Sequence, residues 1–344
     1  MIVRLKKLYR ILIFSGGGCI LVLNTTKGAA MFNVKEISYP CKIDNSMQEA
    51  NFFQAAGSEP RPLVVCLHTW SYDHRQETYM RFAELAQMQN WHMIFPKFRG
   101  PNWLPEACGS DLVVSDLEDA VTYVKNNFPV DPSRIYLTGG SGGGHCSLLL
   151  AGRKPDIWTA ISSWCPITDL ALWHRQSRIL QNEYADHIES ACGGDPAQSA
   201  EALQEARKRS PLTHLSNAAG ILPVDISTGI HDGHTGSVPV GQAIRAYNIL
   251  AAQEDRISEA DIAFIEENEQ VPPHLATAEE DPAYGRKIYL RKQSRMVRLT
   301  LFEGGHDMLP EPAFEWLERQ SSECLPDWSA GKAFTEFGKA ELGR

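Results

Sequence analysis

The fold of this chain is decided by residues 134–151, which read RIYLTGGSGGGHCSLLLA. An apolar strand, Arg134–Leu137, leads through a glycine-rich turn into an apolar helix, His145–Ala151. The turn has the pattern G-x-S-x-G centred on Ser141, and glycines are needed there because a sharp strand-to-helix turn requires backbone angles that a β-carbon resists. Ser141 is therefore predicted to be a nucleophile at the C-terminal edge of a sheet, with the amide of Gly142 facing the oxyanion of an attacked carbonyl.

Apolar runs of strand length alternate with amphipathic segments along the rest of the chain. Such runs are typical of strands that are buried on both faces of a parallel sheet. The sequence therefore predicts an α/β fold with a mostly parallel central sheet, covered by helices on both faces and preceded by a hairpin. The predicted strands are Lys35–Tyr39 and Gln48–Gln54 in the hairpin, then Pro62–Leu67, Trp91–Phe95, Arg134–Leu137, Trp158–Trp164, Leu222–Ser227 and Val297–Phe302.

Two stretches, about 169–216 and about 255–285, are longer than a crossover between strands requires. The first has a helical pattern and is predicted to be a lid-like insertion over the active site. The second is acidic and contains Pro272-Pro273, which favours a solvated decoration over a substrate-facing segment. No repeat or long linker interrupts the chain, so residues 31–344 are predicted to form a single domain.

The first thirty residues have the features of an export signal. A basic segment is followed by the apolar stretch Ile11–Leu23 and by small residues at Gly28-Ala29-Ala30. The apolar stretch is too short for a membrane anchor, because a spanning helix needs about 20 residues. Cleavage near Ala30 is predicted, which would give an exported protein, periplasmic or extracellular, with no stable membrane insertion after signal removal.

Composition narrows the class of protein. The chain has 344 residues, of which 43% are apolar and 22% charged, as in globular proteins. The formal net charge of −9 argues against nucleic acid as a partner, because phosphate would be repelled. Eight cysteines are too few for a disulfide scaffold, so an apolar core must hold the fold. Cys108 and Cys192 lie in loop-like contexts and are the candidate pair for one disulfide.

A serine hydroxyl is a weak nucleophile without an adjacent base. His306 follows the last predicted strand in the segment FEGGH, where a glycine hinge would let a loop fold back over Ser141. Asp232, in the loop after the penultimate strand, is predicted to orient the imidazole and to stabilise its cation. Two other carboxylates are alternatives for this acid: Asp169, which follows the preceding strand, and Asp225, which lies inside a strand.

The second oxyanion donor is expected from the loop after Pro62–Leu67, which reads HTWS. The backbone amide of Trp70 is the predicted donor, with that of Thr69 as the alternative. No cofactor is implied, and no metal site is predicted, since the H-x-x-H spacing of His231 and His234 is loose for zinc. His234 is instead a candidate substrate contact.

A resemblance to a known family rests on the segments 63–71, 98–100, 131–135, 209–212, 229–239 and 302–307. At these residues the chain resembles the α/β-hydrolases and, within them, the prolyl oligopeptidase-like branch, over about residues 60–320. The order Ser141, Asp232, His306 is the chain order of that fold. The resemblance implies a serine hydrolase, but the fold hosts peptidases, esterases and lipases. The chain departs from the branch in its longer Asp232-to-Val238 spacing and in the absence of a long β-rich region before residue 60, so no propeller is expected.

Aromatic residues near the catalytic edge suggest a substrate class. Trp70, Trp103, Trp164 and Trp173 fall in or near the loops there, and aromatic faces can stack on sugar rings or aromatic acyl groups. Arg99 either binds a carboxylate or phosphate or pairs with an acidic neighbour. These features predict an esterase that acts on small-molecule or polysaccharide esters. The alternatives are an exported serine peptidase and a binding protein on a hydrolase scaffold; the complete set of catalytic residue types argues against the latter.

Overall fold

Short apolar runs form the strands of the structure, a computed structural model that describes residues 33–333. The central strands carry almost no exposed side chain, as expected of strands that are covered on both faces. Within the described residues the strands are β1 (Val34–Pro40), β2 (Met47–Phe53), β3 (Arg61–Leu67), β4 (His92–Pro96), β5 (Val130–Gly140), β6 (Ala160–Trp164), β7 (Val224–Gly229), β8 (Ile288–Ser294) and β9 (Val297–Phe302).

These strands form one sheet in the order β1-β2-β4-β3-β5-β6-β7-β9-β8. Neighbouring strands from β4 through β9 are parallel, whereas β1, β2 and β8 pair antiparallel with their neighbours. The predicted hairpin and the mostly parallel sheet are therefore confirmed. β8 was not predicted, because its sequence IYLRKQS has no clear strand alternation and is held at the sheet edge by pairing with β9.

Helices cover both faces of the sheet, as predicted. They are α1 (Thr78–Gln89), α2 (Asp111–Asn127), α3 (Gly142–Arg153), α4 (Leu170–Leu180), α5 (Tyr184–Cys192), α6 (Ala200–Arg209), α7 (Pro211–His214), α8 (Gly241–Leu250), α9 (Glu259–Asn268) and α10 (Pro310–Glu318). On one face α2, α3, α8 and α9 contribute to one large apolar cluster. On the other face α1 and α10 contribute to a second. Burial of these apolar faces is the main force that holds the helices on the sheet.

The stretch 169–216 folds into α4 to α7, so its predicted helical character is confirmed. Asp169 begins α4 by accepting a hydrogen bond from the amide of Leu172 at 2.9 Å, and Ser199 begins α6 in the same way. Apolar residues of α4, α5 and α6 share a cluster with Trp70 in the loop after β3. The insertion therefore packs against the C-terminal edge of the sheet.

Two further predictions concern the membrane and the cysteines. None of the helices within residues 33–333 is long and apolar enough to cross a bilayer. The predicted signal peptide, residues 1–30, lies outside the described residues.

Cys108 and Cys192 are buried in the same apolar cluster but form no disulfide, so the proposed pair is not present in the structure.

Candidate active site

Ser141 stands on a strained turn between β5 and α3. Its backbone angles are φ 59° and ψ −119°, a region that residues with a β-carbon rarely adopt. The amide of Ser141 donates to the carbonyl of Trp164 at 2.9 Å, which fastens the turn to the end of β6. Strain that is held in place by its surroundings is typical of functional positions.

The backbones of Gly142 and Trp70 approach closely. A β-carbon at Gly142 would lie 2.6 Å from the backbone nitrogen of Trp70, a distance that real contacts do not reach. The amide of Thr69, the alternative donor, is already engaged with the side-chain oxygen of Gln76 at 2.9 Å. The structure therefore places the Trp70 amide, and not a free Thr69 amide, beside the turn that carries Ser141.

Asn102, which was not predicted, fixes the orientation of Trp70. Its backbone amide and its side-chain Nδ2 both donate to the carbonyl of Trp70, at 2.9 and 3.3 Å. Its own Oδ1 accepts from the amide of Cys108 at 3.0 Å. The sequence could not predict this role, because a single asparagine in an irregular loop belongs to no recognisable motif.

The close approach at Gly142 makes a testable prediction. Gly142→Ala is expected to lower kcat by about 10²- to 10³-fold, the loss typical of a displaced oxyanion donor, because the new methyl group must push the Trp70 backbone away. Steady-state kinetics on p-nitrophenyl acetate measure this effect. Gly220→Asn is the matched control, since Gly220 faces open space and asparagine tolerates its left-handed backbone. A Gly142→Ala enzyme with wild-type kcat would contradict the placement of the donor.

His306 and Asp232 form a hydrogen-bonded pair behind the turn. Nδ1 of His306 lies 2.7 Å from Oδ2 of Asp232, and the buried carboxylate also accepts from the amide of Val238 at 3.2 Å. Because Nδ1 donates to the carboxylate, Nε2 is left to act as a base. Burial alone would lower the pKa of His306, but the contacts with Asp232 and Cys165 outweigh it, so the pKa is raised well above its ordinary value. The pair therefore stabilises the imidazolium that forms when the base takes a proton.

The loop that carries His306 packs against the nucleophile turn. A β-carbon at Gly140 would lie 2.9 Å from the side chain of Met308, and the thiol of Cys165 donates to a backbone carbonyl of the same loop at 3.1 Å. Nε2 of His306 is buried and makes no hydrogen bond within the described residues. Catalytic hydrogen bonds often tighten only in the substrate complex, so an unpaired Nε2 is compatible with a base that engages the Ser141 hydroxyl when substrate binds.

The two alternative acids have other roles. Asp169 caps α4 and is engaged with the amide of Leu172. Asp225 lies inside β7 and forms a buried ion pair with Arg298, with Oδ1 2.7 Å from Nε. The structure brings neither carboxylate to His306.

Arg99 pairs with acidic neighbours, the second of its two predicted roles. Its Nε and Nη2 donate to the carboxylate of Asp116 at 2.7 and 2.9 Å, and its Nη1 donates to Asp44 at 2.8 Å. Asp116 is completely buried and requires such a partner. Hydrogen bonding to Asp116 raises the pKa of Arg99. Arg99 is therefore not available to a substrate.

Two of the predicted substrate contacts are wrong. Trp164 is 0% exposed and Trp173 is 1% exposed, which excludes stacking on a substrate. The indole nitrogen of Trp164 donates to Ser162, and that of Trp173 donates to the carbonyl of Ser237. Trp173 packs edge-on against Trp70 with ring centroids 4.9 Å apart, so it braces the oxyanion loop.

The other two candidate contacts stay at the surface. Trp103 is half-buried and packs on the ring of His187, with centroids 4.7 Å apart. His234 is exposed, and its Nε2 donates to the carbonyl of Glu266 at 2.6 Å. It lines a cavity of about 200 Å³ whose rim includes the exposed side chain of Ile179.

His231, next to the catalytic acid, joins the two loops of the site. Its Nδ1 donates to Glu269 at 2.6 Å and its Nε2 donates to Glu303 at 3.0 Å. Two carboxylate acceptors require both N–H donors of the imidazolium. Burial alone would lower the pKa of His231, but the two carboxylates outweigh it and raise the pKa. The cation therefore ties the Asp232 loop to the loop that follows β9.

We call the two hydrogen bonds from His231 to Glu269 and Glu303 the His231 clamp. The clamp predicts that the stability of the fold depends on pH. A pKa that is raised in the folded state stabilises the protein below the unfolded value of about 6.5, and this contribution is lost as pH rises through the folded pKa. His231→Gln is therefore expected to lower the free energy of unfolding by about 0.5–1 kcal/mol near pH 6 and by less near pH 9. Urea unfolding at both pH values measures the difference. His214→Gln is the control, since its ring contacts a backbone carbonyl; equal losses at both pH values for His231→Gln would contradict the clamp.

The chain is similar to known proteins over part of its length. Residues 109–265 match the prolyl oligopeptidase family. Acylamino-acid-releasing enzyme 1 of Oryza sativa subsp. japonica is 24% identical over 183 residues, which are 50% of this chain and 23% of the rice enzyme. S-formylglutathione hydrolase of Rattus norvegicus is 38% identical over 55 residues, 16% of this chain and 20% of that enzyme. The solved acylaminoacyl peptidase of Pyrococcus horikoshii superposes with a TM-score of 0.57 at 14% identity, covering 89% of this chain and 44% of the peptidase.

A parallel sheet of this order, with a strained serine turn after β5, has the α/β-hydrolase fold of these structural neighbours. Within that fold the chain is similar to the prolyl oligopeptidase family, whose match covers residues 109–265. The matches cover less than half the length of the rice and Pyrococcus enzymes.

Proposed function

We propose that this hydrolase cleaves carboxylic esters through an acyl-enzyme. Ser141 attacks the carbonyl, His306 accepts the proton of the hydroxyl and returns it to the leaving group, and Asp232 holds the imidazole. The amides of Trp70 and Gly142 stabilise the oxyanion. The proposal rests on the 2.7 Å hydrogen bond between His306 and Asp232. The loop that carries His306 packs against the Ser141 turn.

A peptidase is the second candidate, because the rice and Pyrococcus relatives are named for the release of acylated amino acids and for acylaminoacyl peptidase activity. The two candidates differ in the leaving group. An amine must be protonated by His306 as it departs, whereas an alkoxide is expelled more easily. The same five groups serve both reactions.

The experiment that separates them compares p-nitrophenyl acetate with N-acetyl-aminoacyl p-nitroanilides, using the purified protein and Ser141→Ala. Ester cleavage that depends on Ser141, without anilide cleavage, is the expected result. Cleavage of the anilides at a comparable kcat/KM would replace the esterase with a compact peptidase. Hydrolysis of the ester that persists in Ser141→Ala would overturn both candidates.

A narrower substrate proposal is a polysaccharide that carries acetyl or aromatic acyl groups. With Trp164 and Trp173 buried, stacking on such a substrate would fall to Trp103. Release of acetate or ferulate from acylated xylan, and a raised KM in Trp103→Ala on xylan but not on p-nitrophenyl acetate, would support it. No release would remove this proposal and leave the esterase in place.

Export is part of the proposal and rests on the pattern of residues 1–30. N-terminal sequencing of the protein from the periplasm or the medium is expected to give a sequence that starts near Met31. Recovery of the protein from inside the cell with its first thirty residues intact would contradict export.

A further inference from the structure

A thiol that the hydrolase mechanism does not use lies beside the catalytic pair. Cys165 follows β6, is 2% exposed and has a left-handed backbone with φ 45°. One donor atom from each of Cys165, Asp232 and His306 lies within 4.8 Å of the other two. A sulfur, a nitrogen and an oxygen thus lie close together at the loop that carries His306.

These donors match the preferences of a zinc ion. Zinc binds thiolate at about 2.3 Å and imidazole nitrogen or carboxylate oxygen at about 2.1 Å in a tetrahedron, which sets the donor atoms about 3.5 Å apart. Here the three donors lie within 4.8 Å of one another, and the ion would replace the proton that Nδ1 of His306 shares with Asp232. The second observation is the buried thiol of Cys165, which donates to the carbonyl of Asp307 at 3.1 Å, one residue from His306.

We propose that Cys165, Asp232 and His306 form an inhibitory site for zinc, so that binding of the ion switches the hydrolase off. Zinc forms a bond to the sulfur and the thiol proton passes to solvent. An imidazole that binds zinc through Nδ1 carries its proton on Nε2, so it cannot accept the proton of Ser141, and a carboxylate that binds zinc no longer orients the ring. The inhibitory consequence rests on the proposed function, whereas the binding of zinc does not.

A second group of donors serves as a comparison. His174, Glu189 and Asp195 also lie within 4.8 Å of one another. However, Arg178 already forms an ion pair with Glu189, and Asp195 accepts a hydrogen bond from the amide of Ala197 at 2.7 Å. Because the positive charge of Arg178 already pairs with a carboxylate of this group, zinc is not expected to bind there.

The first test measures inhibition. Micromolar zinc chloride is expected to suppress hydrolysis of p-nitrophenyl acetate by the purified protein, magnesium chloride is not, and EDTA is expected to restore the rate. Cys165→Ser and Cys165→Ala are each expected to raise the half-inhibitory zinc concentration by at least about tenfold, judged against the zinc-free rate of the same variant. Cys324→Ser, at an exposed cysteine, and His174→Gln are expected to keep the wild-type value. An unchanged half-inhibitory concentration in both Cys165 variants would overturn the site.

The second test measures binding without activity. Cobalt chloride is expected to give a sulfur-to-cobalt charge-transfer absorption in wild type and in Ser141→Ala, and none in Cys165→Ala. If this band appears but esterase activity does not depend on Ser141, the site stands and the proposed function fails. If activity depends on Ser141 but wild type shows no thiolate band, the function stands and the zinc site fails. The wild-type spectrum decides the matter even if a Cys165 variant does not fold.

Discussion

Ser141→Ala is expected to fold like the wild type and to lose about 10³- to 10⁶-fold in kcat for p-nitrophenyl acetate. Removal of the hydroxyl removes the atom that forms the acyl-enzyme in the proposed mechanism. The amides of Trp70 and Gly142 are left intact, so a weak residual rate over water is expected from oxyanion binding alone. Alanine also fits the space of serine, and the Ser141 side chain makes no cap hydrogen bond to α3.

Steady-state kinetics, a burst-phase assay and thermal unfolding measure the three parts of this expectation. The wild type should show a burst of p-nitrophenol equal to the enzyme concentration, and the variant should show none. Ser216→Ala, at an exposed serine in the stretch between α7 and β7, is the matched control and should keep both the burst and the rate. A variant at Ser141 with a full burst would show that the nucleophile is elsewhere.

Local physics explains what could be predicted from the sequence. A strand covered on both faces is mostly apolar, so β3, β4 and β9 can be located from their short apolar runs. The turn at Ser141 requires glycines in fixed positions, so its geometry can also be predicted from the local sequence. Chain order then singles out Asp232 and His306, because parallel strands bring their C-terminal ends to one edge.

Features that depend on which way a side chain points could not be predicted. Trp164 and Trp173 lie at the catalytic edge, but whether a ring faces the core or the solvent is set by neighbours far away in sequence. Arg99 pairs with Asp116 because that carboxylate is completely buried, and its burial follows from the packing of α2 on the sheet. Cys165 meets His306 only because β6 and β7 are neighbours and β9 follows β7 in the sheet.

Asp232→Asn is expected to lower kcat by about 10⁴-fold without loss of the fold. The carboxylate accepts the Nδ1 proton of His306, which leaves Nε2 unprotonated and ready to take the proton of Ser141. An amide is neutral and can present a donor to Nδ1, which favours the wrong tautomer and leaves the imidazolium without its counter-charge. The amide oxygen can still accept from the backbone amide of Val238, so the loop should keep its shape.

The pH profile of the residual activity gives a second readout. His306 acts as a base only when it is neutral, so activity rises as pH passes through its pKa. Because contact with Asp232 raises that pKa, the acidic limb of kcat/KM is expected to move to lower pH in Asp232→Asn. A purely structural defect would lower the rate and leave the limb in place.

Asp169→Asn is the matched control for Asp232→Asn, because both changes replace a carboxylate with an amide of the same size. Asparagine also caps helices well, so the variant should keep the start of α4 and unfold within about 0.5 kcal/mol of the wild type. Its kcat and its pH limb should not change, since the structure gives Asp169 a bond to the amide of Leu172 and none to His306. A larger loss of kcat in Asp169→Asn than in Asp232→Asn would make Asp169 the catalytic acid and would mean that the loop after β6, not the loop after β7, orients the base.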